Sequence, residues 1–285
     1  MLTAVKSNRP TPALTRVIPS RGGGSVSAVT SLGDDVFVVR CESQQVEVYN
    51  AVTLTLQRRL EVPGLGKWPI GLVACPNNNC LYVSEYRYYL DRVHRVDLSG
   101  SNAVKEWAVA PMPRGLSINR EHHLIVVCHT GTASKLQEYT THGTLAREIC
   151  LQAGVTEIFH AIQLSTGDYV ISQRTLPGLV RVVRADGKVV RCWGWPCHTP
   201  DVGQMIYPTS LAVTKNDDIL VADGDNNRIL SMNSSQDSVQ QLLLSAYGGI
   251  QLPRGLCLDE SRGRLYVGEY EGKHRVIVFD GVTAK

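Results

Sequence analysis

The sequence predicts an all-β protein, a six-bladed β-propeller of four-stranded blades in which the N-terminal strand completes the last blade. Three observations lead there. A β-rich run recurs six times along the 285 residues, with Val38, Val83, Val126, Ile171, Val221 and Val267 equivalent and spaced by 45, 43, 45, 50 and 46 residues. Each unit alternates such runs with polar turns, as in Lys215-Asn216-Asp217-Asp218. The sixth unit runs out after its third strand, where only six residues follow Phe279. A period near 45 built from short strands is that of a propeller, because a solenoid repeat of this length would carry helical periodicity.

The elements follow in order. The six recurring runs, Val36 to Val39, Leu81 to Ser84, Leu124 to Val127, Tyr169 to Ser172, Ile219 to Ala222 and Leu265 to Gly268, are read as the second strand of each blade. In the fifth unit Ser210 to Val213, Ile219 to Ala222, Arg228 to Met232 and Val239 to Leu244 make strands a to d around Asn/Asp turns. The blades span about 26–62, 69–109, 113–151, 159–193, 208–244 and 253–279, in a single domain covering 1–285. Segment 13–18 resembles a strand d and is expected to pair with Val276 to Phe279, which removes two open sheet edges. Trp107, Trp193, Tyr49, Tyr139 and Phe279 are expected to pack between blades.

Composition narrows the function classes. With 43% hydrophobic and 19% charged residues, the whole chain is expected to fold. The first 19 residues carry Lys6, Arg9, Pro10, Pro12 and Arg16 in place of an apolar signal core, so a cytoplasmic location is expected. No apolar run reaches the roughly 18 residues of a membrane span, and a net charge of +3 does not by itself imply a polyanionic partner. The eight cysteines are expected as thiols, most of them buried. Neither Cys75/Cys80 nor Cys192/Cys197 has zinc-site spacing, so no metal or other cofactor is expected.

Blade five reads Tyr207-Pro208-Thr209-Ser210-Leu211 and then Val221-Ala222-Asp223-Gly224-Asp225-Asn226-Asn227-Arg228-Ile229. Blade six has Pro253-Arg254-Gly255-Leu256, Glu269 and Arg275-Val276, and blades two and three keep Pro69-Ile70-Gly71 and Pro113-Arg114-Gly115. These motifs resemble the NHL-repeat family, as found in the C-terminal propeller of tripartite-motif ubiquitin ligases. The resemblance implies a target-selecting domain linked to ubiquitination, some of whose targets are RNA hairpins. Asp223 with Arg228, Glu269 with Arg275 and Glu85 with Arg92 are read as structural pairs that hold a turn, each exposed and worth about 0–1 kcal/mol.

In a propeller the d-to-a crossing and the b-to-c loop emerge on one face, where loops on a rigid scaffold carry binding. The column before strand a reads Ser27, Ile70, Arg114, His160, Thr209, Arg254, and the column ending strand b reads Arg40, Glu85, Cys128, Gln173, Asp223, Glu269. The candidate ligand-binding residues are Arg40, Arg114, His129, His160, Arg174 and Arg254, concentrated in a basic sector at blades three and four. A single histidine without a convergent carboxylate argues against a metal-dependent lyase or lactonase of the six-bladed type, which is the alternative. The expected function is non-catalytic recognition of a protein or acidic peptide, with single-stranded or hairpin RNA as a further partner through bases beside Phe159.

Overall fold

A computed structural model describes residues 13–20, 23–85, 91–129, 133–197, 204–233, 239–243 and 249–282. Six four-stranded antiparallel sheets form a ring, and among the described residues no helix is long and apolar enough to cross a membrane. Blade five is Pro208–Val213, Asp218–Asp223, Arg228–Asn233 and Val239–Leu243, and blades one to four repeat this order. Burial explains the composition of each strand. Strand b lies in mid-sheet with a neighbouring blade against both faces, so Cys80–Glu85 and Leu124–His129 are buried throughout. Strand d forms the outer edge, and Leu145–Cys150 is exposed at every position but Ile149.

The sixth sheet has the order Ala13–Ile18, Val276–Asp280, Arg264–Glu269, Pro253–Asp259, so the N-terminal strand supplies the missing outer strand. The register pairs Ala13 with Asp280 and Ile18 with Val276. Ile18 is wholly buried in a cluster with Val26, Val36, Tyr266 and Val278, the apolar seam between blades six and one. Five similar clusters fill the other blade interfaces, with Trp193 between blades four and five and Phe279 between five and six.

On strand a of blades two and three, glycine stands where the next blade's backbone approaches closely. A Cβ on Gly71 would lie 2.6 Å from the Arg114 carbonyl, and one on Gly115 would lie 2.6 Å from that of Phe159. In blades two and three the glycine of the Pro-x-Gly pattern is therefore a packing requirement.

One expectation is corrected. Cys192 and Cys197 form a disulfide with Cα atoms 5.7 Å apart, because Gly194 at φ 108° turns the chain back at the end of strand d. Cys75 and Cys80 face each other across the first hairpin of blade two as buried thiols.

Ring closure sets the first prediction. Deleting residues 1–20 strips an edge from the sixth sheet and uncovers the seam around Val26 and Val278. We expect thermal unfolding monitored by circular dichroism to lose cooperativity or to shift down by more than about 10 °C.

Candidate functional site

Strand a of every blade begins with a bulge on the channel side. Its first residue pairs with the last core position of strand b, as Val26 with Arg40, Pro69 with Glu85, Pro113 with Cys128, Ile158 with Gln173, Pro208 with Asp223 and Pro253 with Glu269. The register then slips within the next three residues in all six blades. A bulge re-aims the side chain it contains. The residues so displayed are Ser27, Ile70, Arg114, Phe159, Thr209 and Arg254.

This register corrects the sequence alignment in blade four. His160 pairs with Ser172 as Gly71 pairs with Ser84, and its backbone N–H donates to Ser172 Oγ as that of Gly71 donates to Ser84 Oγ. His160 therefore occupies the glycine position, and Phe159 is the channel-mouth residue. With no proline or glycine in Ile158-Phe159-His160-Ala161, the sequence had nothing to anchor that offset of one.

The second column is a clamp. Asp223 Oδ1 accepts the Ile206 N–H at 2.8 Å, Glu269 Oε1 accepts the Gln251 N–H at 3.1 Å, and Glu85 accepts the Gly66 N–H. Gln173 donates to the Gly154 carbonyl, Arg40 donates to that of Gly24, and in blade three, where Cys128 stands, Gln137 accepts from Ala110. Each contact ties strand b or c to the crossing that delivers strand a. These side chains are buried, with Glu85, Asp223 and Glu269 at 0–1% exposure.

The structural pairs are thus not exposed, as expected from sequence, but internal. Arg228 Nε lies 2.7 Å from Asp223 Oδ2, and Arg275 Nε lies 2.9 Å from Glu269 Oε2. Burial pushes the Asp223 carboxyl above its usual range, while hydrogen bonds from Asn226, Ile206 and Arg228 oppose that rise. The Glu85/Arg92 pairing is corrected: Glu85 faces His94 at 3.7 Å, and Arg92 pairs with Glu106. Strand c runs Arg92–Asp97, and its buried face at this level carries His94.

Because side chains alternate along a strand, the residue after each clamp faces the other way. Cys41, Arg174 and Tyr270 follow Arg40, Gln173 and Glu269, and all three reach the channel mouth. Together with Ile70, Arg114, Phe159 and Arg254 from the bulges, and Trp68 and Pro69 beside them, they line a cavity of about 250 Å³. A second cavity of about 320 Å³, lined by strand a of the blades, shares Ile70, Phe159 and Arg254 with it and continues down the channel.

Three guanidinium groups meet there. Arg174 and Arg254 lie 5.2 and 5.3 Å from the centroid of the Phe159 ring; Arg254 also stacks 4.1 Å from Tyr270, and Arg174 lies 5.2 Å from Tyr207. Burial, then the Arg254 and Arg114 charges, pull the Arg174 guanidinium below its ordinary value. Arg114 bonds Glu157 at 3.2 Å, and His129 Nε2 lies 3.2 Å from the other Glu157 oxygen. Glu157 and Tyr207 immediately precede strand a with φ of 51° and 52°, left-handed conformations uncommon for such residues.

The six candidates therefore divide. Arg114, Arg174 and Arg254 converge on the cavity, with Arg254 of blade six extending the basic group beyond blades three and four. His129 is buried and holds Glu157, with Nδ1 3.2 Å from Ser134 Oγ. Arg40 is buried on Glu47 at 2.8 Å and on the Gly24 and His274 carbonyls, binding blade one to blade six. His160 bridges blades: Nδ1 accepts the Leu211 N–H at 3.0 Å, so Nε2 donates to the Leu116 carbonyl at 2.9 Å. The charged and aromatic loop residues Tyr86, Arg87, Tyr88 and Tyr89 fall outside the described residues. Among the described residues no group of three or more histidine, cysteine or carboxylate side chains stands ready for a metal ion.

This geometry is that of a six-bladed propeller with a basic, aromatic-floored channel mouth. Residues 205–230, which contain the Asp223–Arg228 clamp and the Tyr207-Pro208 turn, match the NHL repeat family. The chain matches no curated protein by sequence. Among solved structures it is similar to the PQQ-bound aldose sugar dehydrogenase of Streptomyces coelicolor, at 14% identity over 95% of this chain and 99% of that one, with a TM-score of 0.72. It is also similar to a Bacteroides thetaiotaomicron protein of unknown function, at 10% identity over 94% and 73%, with a TM-score of 0.72. Virginiamycin B lyase of Staphylococcus aureus gives 12% identity over 92% and 97%, with a TM-score of 0.65. At these identities the likeness establishes the fold alone.

Two predictions follow from the clamp and the bridge. Asp223→Ala takes the carboxylate from the buried Arg228 and the acceptor from the Ile206 N–H, and we expect chemical denaturation to show a loss of about 3–5 kcal/mol. His160, held neutral by burial, titrates in the unfolded chain near its ordinary value of about 6.5. Its folded value is depressed, so its contribution is complete above about pH 6.5 and is lost as pH falls, when the unfolded chain binds the proton first. Denaturation midpoints should fall between about pH 7.5 and 5.5 in the wild type and fall less in His160→Gln.

Proposed function

We propose that this protein is a non-catalytic recognition module that draws an acidic segment of a partner peptide into the arginine-lined mouth of its central channel. The observation that carries this reading is the convergence of Arg114, Arg174 and Arg254 on one cavity, the last two over the same phenyl ring, with no carboxylate among the described residues that line it. Like charges packed together in a partly desolvated site repel one another, and an anionic ligand relieves that repulsion. Arg114 and Arg254 lie on strand a and Arg174 directly follows the clamp residue Gln173, so little order is lost on binding. The exposed Trp68 at the rim offers apolar surface to the residues flanking the anion, in keeping with the aromatic and arginine composition of protein-binding sites. The NHL repeat at 205–230 agrees with this reading through the target-selecting propellers that the motif resembles.

The test is a titration of fluorescein-labelled hexaglutamate by fluorescence anisotropy, with a mixed-sequence single-stranded RNA of similar length alongside. We expect hexaglutamate to bind, to bind more weakly at higher salt, and to lose at least tenfold in affinity on Arg174→Glu. No binding, or binding indifferent to Arg174→Glu, overturns the proposal. RNA binding that exceeds that of the peptide and disappears with Arg174→Glu replaces the peptide with a nucleic acid.

A further inference from the structure

The cavity at the channel mouth has a charge and a donor arrangement that distinguish among anions. Of its three arginines, Arg114 is partly neutralised by Glu157. Arg174 and Arg254 form no ion pair with any described carboxylate, and both guanidinium carbons lie within 5.3 Å of the same ring centroid. A single carboxylate on the ligand balances one of these two charges and leaves the other facing it. A nucleic-acid phosphodiester likewise carries one charge. A phosphate monoester carries about −1.5 to −2 near neutral pH, which matches the pair.

The donors agree with the charges. The Nε atoms of Arg174 and Arg254 are both buried and have no acceptor among the described residues, while stacking on Phe159, Tyr207 and Tyr270 restrains the planes that carry them. A buried donor without an acceptor is unfavourable, and an oxygen-rich ligand offsets that cost. The guanidinium fork meets phosphate oxygens two at a time, so two forks converging on one group match three acceptor oxygens better than two. On the opposite side Trp68, Pro69 and Ile70 give an apolar wall for the side chain that bears the phosphate.

We infer that the group taken by this cavity is the phosphate monoester of a phosphorylated side chain on the partner peptide, gripped by Arg174 and Arg254 with Arg114 at its edge. The inference rests on the peptide-recognition reading above and narrows its ligand. Recognition then depends on a kinase reaction that supplies the ligand and a phosphatase reaction that removes it.

The experiment uses four labelled peptides of sequence Glu-Glu-X-Glu-Glu, in which X is phosphotyrosine, phosphoserine, a single aspartate, or two consecutive aspartates that match the phosphate in total charge. Isothermal titration against the full chain is expected to show one or both phosphopeptides binding at least tenfold tighter than the two-aspartate peptide. That margin is expected to disappear in Arg174→Ala. It should remain reduced in Arg254→Lys, which keeps the charge and removes the fork; unchanged circular dichroism and thermal midpoints identify variants that still fold. Phosphopeptides that bind no tighter than the two-aspartate peptide overturn the inference and leave the acidic-peptide reading standing. Failure of all four peptides to bind overturns both.

Discussion

A buried hydrogen-bonding side chain must find a partner, and in this propeller the partner is the backbone of the neighbouring crossing. Glu85, Asp223 and Glu269 end strand b in surroundings that exclude water, and each accepts an N–H from the segment that leads into strand a. Arg228 and Arg275 close the carboxylates of Asp223 and Glu269 from the start of the third strand, where blade two has His94 facing Glu85. Charge and clamp are therefore one device: without the arginine the acid is an unpaired buried charge, and without the acid the crossing loses its anchor. Where the acid is absent the task passes to Gln173, Arg40 or Gln137, so the contact survives in different chemistry.

The position of everything on the channel side follows from that anchor. Crossings held at a fixed height deliver strand a with its bulge at the same level in each blade, and the bulges turn Ile70, Arg114, Phe159 and Arg254 toward one mouth. Around the inner ring, Ser84 Oγ donates to the Arg114 carbonyl at 2.7 Å, His160 spans Leu116 and Leu211, and Thr209 Oγ1 donates to the Pro253 carbonyl at 3.0 Å. These contacts stitch blade to blade beside the cavity. They explain why a histidine that looks available in the sequence is used to hold the scaffold.

Electrostatically the site depends on selective neutralisation. The clamp carboxylates are bound within the blades, and Glu157, shared by Arg114 and His129, sits at one edge of the arginine group. Arg174 and Arg254 are held against aromatic rings, which stabilise a cation without neutralising it. The channel mouth therefore contains a local excess of positive charge.

By itself the sequence determined the number of blades, their four-stranded make-up, and the closure of the ring by segment 13–18. Those features follow from local properties, namely strand composition, turn residues and a period that needs no partner to be read. The face on which the crossings and the b-to-c loops emerge, and three arginines that line its channel mouth, were also legible, since loop polarity is fixed once blade order is known. What only the tertiary structure decided was which side chain at each loop looks inward. Adjacent strand residues face opposite sides, so an alignment ambiguity of one residue separates the clamp Gln173 from the cavity residue Arg174, and His160 from Phe159. The burial of Arg40, the rerouting of Glu85 to His94 and the Cys192–Cys197 bridge belong to the same class. Each depends on which neighbour comes within about 3–4 Å once six sheets are packed into a ring, a distance that no pattern along the chain encodes.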